Sequence, residues 1–65
     1  MKPYQERVVI EKKELDDKRA KLTNFMNGDI YLTLDKPEQY RLTRQLDAMN
    51  LYASMLGERI SAFAP

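Results

Sequence analysis

The stretch from Asp35 to Phe63 constrains this chain more than any other. Its apolar residues fall at Leu42, Leu46, Met49, Ala53, Leu56, Ile60 and Phe63, in alternating steps of four and three. Such a pattern keeps one stripe of an α-helix apolar, and that stripe must be buried against another helix. The start of this helix is also marked. Asp35 is a good N-cap, Pro37 falls in the first turn, and Glu38 stands three residues after the cap as in a capping box. The pattern predicts a helix from about Lys36 to about Ala62, with Pro65 beyond its end.

A partner is available upstream. Pro3 suits a first helical turn, and Tyr4, Val8, Leu15, Leu22, Phe25 and Met26 recur on one face. Between Glu11 and Lys21 only Leu15 and Ala20 are uncharged, so this segment is supported by helix propensity and by pairs such as Glu14–Lys18 and Asp17–Lys21. Asn27-Gly28 supplies residues that tolerate a left-handed C-cap. The expected fold is all-α: one domain over residues 1–65, with helix one at about 3–27, a connector at 28–35 and helix two at about 36–62. The connector's alternating Ile30, Leu32 and Leu34 have no strand to pair with, so a helical turn or loop plugging the pair is expected. An antiparallel two-helix hairpin follows. Pairing its ends sets Tyr4 opposite Ile60, Val8 opposite Leu56, Leu15 opposite Met49 and Leu22 opposite Leu42. Gly57, inside helix two, then suggests a close approach of helix one near Val8.

Size limits what such a hairpin does alone. A chain of 65 residues buries only ~60% of its unfolded surface. Without cysteine or histidine it lacks disulfides, thiolate sites and the commonest metal ligand, so oligomerisation is the remaining support. Apolar residues left outside the main seam agree with this. Val9 on helix one, and Ala48, Leu51 and Met55 on helix two, are the expected oligomer interface, most simply a dimer forming a four-helix bundle, or a larger one.

The chemistry is equally bounded. Ser54 and Ser61 have no histidine to activate them, and Gly28 and Gly57 stand alone rather than in a phosphate loop. Glu11, Glu14, Asp16 and Asp17 lie among basic residues and read as a solvated face, not a metal cluster. No enzyme, metal site or cofactor is expected. A net charge of +1 argues against nucleic acid as a partner, and apolar runs reach only three residues, as in Val8-Val9-Ile10, so no membrane span is expected. A cytoplasmic protein is the default. The best binding candidate is the set Tyr4, Arg7, Glu11, Tyr52 and Arg59, where aromatic faces and guanidinium groups suit a small anionic ligand. The plainer alternative is that Tyr4 caps the core and Arg7 pairs with Glu11 or Glu58.

Pro3-Tyr4-Gln5-Glu6-Arg7-Val8-Val9, Glu11-Lys12, Glu14-Leu15-Asp16, Lys21-Leu22, Phe25-Met26, Leu42-x-x-Gln45, Met49, Tyr52 and Leu56-Gly57-Glu58-Arg59-Ile60 together resemble a family of small phage proteins named after a protein of a crAss-like phage. The likeness spans nearly the whole chain and departs from it in the connector at 29–34. It implies a phage origin and a helical fold, and no catalytic residues. The polar positions it covers are Tyr4, Gln5, Arg7, Glu11, Lys12, Gln45, Tyr52 and Arg59. The expected function is that of a non-enzymatic phage accessory protein in the host cytoplasm. It would counter host defence by binding a defence protein or by sequestering a nucleotide immune signal. The alternative is a structural or assembly scaffold.

Overall fold

The computed structural model describes residues 1–63. The expected position of Pro65 beyond the last helix lies outside them. Among these residues three helices follow in order: α1 (Pro3–Met26), α2 (Asp29–Thr33) and α3 (Lys36–Ser61). The described residues are all-helical outside their short links, as the patterning predicts, and the connector forms the helical turn it allowed for, as α2, although Ile30 and Leu32 stay exposed instead of plugging the pair.

The helix starts follow local chemistry. The Lys2 backbone N–H donates to the Gln5 side-chain oxygen at 2.9 Å, closing the first turn of α1. At α3 the Asp35 carboxylate accepts from the Glu38 N–H at 2.8 Å, as an N-cap should. The reciprocal half of the capping box is replaced by an ion pair, because the Glu38 carboxylate accepts from Arg41 Nε at 2.7 Å instead. The end of α1 corrects another expectation. Neither Asn27 (φ −91°) nor Gly28 (φ −98°) is left-handed. Asn27 stays helical and bonds back to Thr23, while Gly28 is extended and serves as the N-cap of α2. Because α2 begins at once, no left-handed reversal is needed.

The core consists of Val8 and Leu15 from α1 and Ala53 and Leu56 from α3, with Met49, Ile60 and Phe63 packed against it. Every residue of the α3 heptad seam is buried or half-buried. Contacts between α1 and α3 join the start of one to the end of the other. The Tyr4 and Phe63 rings meet edge to face at 5.9 Å, Lys12 lies beside Gly57, and Arg19 bonds to Asn50. This register differs from end-to-end pairing by about one helical turn, since Tyr4 meets Phe63 and not Ile60. The cause is α2. Tyr31 donates its hydroxyl to the Gln39 carbonyl at 3.2 Å and lies 3.5 Å from Thr43 Oγ1. The first turn of α3 therefore packs on α2, and α1 meets α3 only further along.

The result is a rod of 48 × 15 × 14 Å. A rod this thin has little interior, and Leu56, 1% exposed, is its most buried large side chain.

Candidate functional site

Two contacts sort the rod into flanks. On α3, Asn50 and Gly57 are seven residues apart, as are Arg19 and Lys12 on α1, and they meet pairwise. Seven residues are almost two turns, so these four side-chain positions define one flank. It is polar. Asp16 sits at its centre, accepting from Lys12 Nζ at 2.7 Å and from Arg19 Nη1 at 2.7 Å. The Lys12 bond first, and then the Arg19 bond, hold the Asp16 carboxyl below its ordinary pKa. Among the described residues these are the ion pairs that α1 forms, and the expected Glu14–Lys18 and Asp17–Lys21 pairs are not made. Asp16, Arg19, Ala20, Thr23, Asn24 and Asn50 line an open cleft of about 380 Å³. Reading the chain as a solvated helix surface missed this cleft. The matched seven-residue spacings, once set in register, are the signal that finds it.

The opposite flank holds the anticipated binding residues. From Gly57, a step of two to Arg59 or of five back to Tyr52 turns the helix to the other side of the seam, and Ala48, Tyr52, Met55 and Arg59 follow one another in steps of four and three. Tyr52 and Met55 are each 45% exposed. On α1, Arg7 and Glu11 lie on the side away from Lys12 and Asp16, with Arg7 exposed and Glu11 half-buried. Arg7 lies between Tyr4 and Lys12, and Arg59 between Gly57 and Phe63, so the two guanidinium groups share one end of the rod. Among the described residues no salt bridge engages Arg7, Glu11 or Arg59. Arg59 also falls in the last turn of α3, where a cation complements the helix dipole.

Two expected members separate from this group. Tyr4 is half-exposed, with one edge taken by Phe63. Tyr52 lies eleven residues before Phe63, roughly 16 Å along the axis at 1.5 Å per residue, and thus level with Leu15, about one turn beyond Glu11, rather than beside Tyr4. The one-turn change of register increases this separation. Val9 departs from the expected oligomer surface for a similar reason. Four residues after Gln5 and three before Lys12, it belongs to the polar flank, whereas Ala48, Leu51 and Met55 face away from it. At the end of the rod, Met1, Gln5, Ile60 and Phe63 line a second, largely apolar depression of about 340 Å³.

No group of three or more acidic side chains is placed to hold a metal ion among the described residues. No helix there is long and apolar enough to cross a membrane.

These features define a small all-helical protein with open helix flanks. The chain belongs to the Sequestin family, whose pattern matches residues 2–62. The family's name fits a binding, sequestering role. The match carries no link to a crAss-like phage. No curated protein and no solved structure matches the chain.

Proposed function

We propose that this Sequestin-family protein is a non-enzymatic phage accessory protein. It counters host defence in the bacterial cytoplasm by sequestering an anionic, nucleotide-type signal. The observation that carries the reading is the flank shared by Arg7, Glu11, Tyr52 and Arg59: two basic side chains that form no salt bridge among the described residues and an exposed tyrosine ring, in a chain whose family name fits sequestration. Guanidinium groups bind phosphate through paired, charge-assisted bonds, and an aromatic face stacks on a base. The flank is open on one chain. The antiparallel hairpin reading, supported by the Tyr4–Phe63 and Arg19–Asn50 contacts, leaves room for a second copy to wall it, so a homo-oligomer belongs to this proposal.

Mass spectrometry of the supernatant from boiled, purified protein tests it. A released nucleotide is expected, and cyclic dinucleotides or the released compound should raise the melting temperature. Arg59→Ala should abolish that rise while leaving helical content unchanged. No released nucleotide together with no thermal shift would overturn the reading. A second reading, a host-protein binder or phage assembly scaffold, is favoured by the apolar outer face of α3, where Leu51 is 65% exposed. Phage or host proteins recovered with the chain from infected cells would then replace the nucleotide.

A further inference from the structure

The outer face of α3 carries a second heptad stripe. Arg44, Ala48, Leu51, Met55, Glu58 and Ala62 follow one another in steps of four and three. The inner seam is covered by α1, but among the described residues nothing covers this one: Leu51 and Met55 are both open to solvent. The charges at its two ends are opposite. Arg44 stands seven residues before Leu51, and Glu58 stands seven after it. Among the described residues neither forms a salt bridge.

We infer that this stripe pairs with itself in a second copy, the two α3 helices running antiparallel about a two-fold axis at Leu51. A two-fold contact is self-complementary, so each residue meets the one equally distant on the other side of the axis. Leu51 then faces its own copy. Arg44 meets Glu58 of the second chain, and the same ion pair forms twice, roughly 10 Å either side of the axis. Small and large side chains also alternate in the manner that packs helices closely. Ala62 and Tyr40, each eleven residues from Leu51, fall across from one another, Tyr40 being one of the most exposed large residues, while Met55 lies one residue beyond the position that mirrors Ala48. A parallel pairing would instead set Arg44 on Arg44 and Glu58 on Glu58.

Surface area supports a second copy as the occupant. The chain exposes 5081 Å², roughly 750 Å² more than the ~4300 Å² expected of a compact monomer of this mass. That excess is close to the ~800 Å² per partner that a stable interface buries. The arrangement rests on the homo-oligomer reading above and gives it a geometry. It also places the second α3 alongside Met55, on the same helix flank as Tyr52 and Arg59, so the partner would form one wall of the ligand face.

Light scattering on wild type, Arg44→Glu, Glu58→Arg and the double variant tests the inference at one micromolar-range concentration. The wild type should have the mass of a dimer or a larger assembly. Each single variant should dissociate to monomer or weaken association at least ~10-fold, and the double variant should recover the wild-type mass. Circular dichroism follows folding in parallel. Should a single variant lose helix as it dissociates, recovery of both helix and mass in the double variant still identifies the pair. A monomeric wild type would overturn the oligomer itself. An oligomeric wild type with unchanged single variants, or a double variant that stays dissociated, would overturn this interface and leave oligomerisation standing.

Discussion

Arg19 donates from Nε to Asn50 Oδ1 at 2.9 Å, and among the described residues this is the side-chain hydrogen bond that joins α1 to α3. Its other face holds Asp16, so one guanidinium ties together two helices and a carboxylate. Solvent competes for an exposed bond, and Asn50→Ala should cost only about 0.5 kcal/mol. Arg19→Ala should cost more, since it also leaves Asp16 with Lys12 alone. Urea midpoints of the two variants, compared at fixed protein concentration, check the order.

The same cluster predicts an acid limb. Asp16 is held below its ordinary pKa, by Lys12 first and Arg19 second. A depressed folded-state value means that the unfolded chain takes up the proton more readily. The stabilisation is therefore fully present above the unfolded-state pKa of about 4. It is lost as the pH falls from there through the lower folded value. Asp16→Asn should melt closer to wild type in acid than at neutral pH. Thermal melts across that range, in low salt, are the measurement. A difference that is independent of pH would assign the effect to packing or to helix propensity.

Leu56 is the deepest point of a four-residue core. Truncating a buried leucine costs about 2–5 kcal/mol, a large fraction of what a domain this small has. Leu56→Ala should therefore lose most of its helical signal at room temperature in far-UV circular dichroism, while Leu32→Ala, on an open surface of α2, should not.

The inner seam of α3 could be read from spacing alone because a four-three pattern has one geometric solution, and Leu42 to Phe63 do line the packed side. The partner's identity was legible for the same reason, through Val8 and Leu15. Register was not. An apolar stripe fits equally well one turn up or down, and the choice is made by Tyr31 reaching Gln39 and Thr43, a contact that no periodicity encodes. The site inherited this blind spot. Arg7 and Arg59 share an end in either register, whereas Tyr4 and Tyr52 are drawn apart by it. The cleft around Asp16, Arg19 and Asn50 needed the register before its members could be seen as neighbours.

The N-cap of α3 is a local device that sequence and structure describe alike. Asp35 Oδ1 accepts from the Glu38 N–H, satisfying one of the donors that a helix start leaves open. Asp35→Ala should cost about 1 kcal/mol and Asp35→Ser much less. Because α2 packs on this turn through Tyr31, hydrogen exchange should show the extra opening concentrated at the first turn of α3 and not at its centre.

Gly57 gives the prediction whose sign is most informative. End-to-end pairing suggested that α1 comes too close there for a side chain. In the observed register a Cβ at this position would meet only the Lys12 Cε, at 3.6 Å, and Gly57 has no positive φ. That distance is ordinary contact with the far end of a flexible side chain. The remaining effect is helix propensity, which favours alanine over glycine by about 1 kcal/mol in a helix interior. Gly57→Ala should therefore raise the melting temperature. Lys12 and Gly57 lie on the polar flank, away from Tyr52 and Arg59, so ligand-induced thermal shifts should be preserved in this variant. A lower melting temperature would mean that the backbone itself, and not Lys12, approaches Gly57 closely, through a tighter crossing of α1 and α3 or through a neighbouring copy seated on that flank.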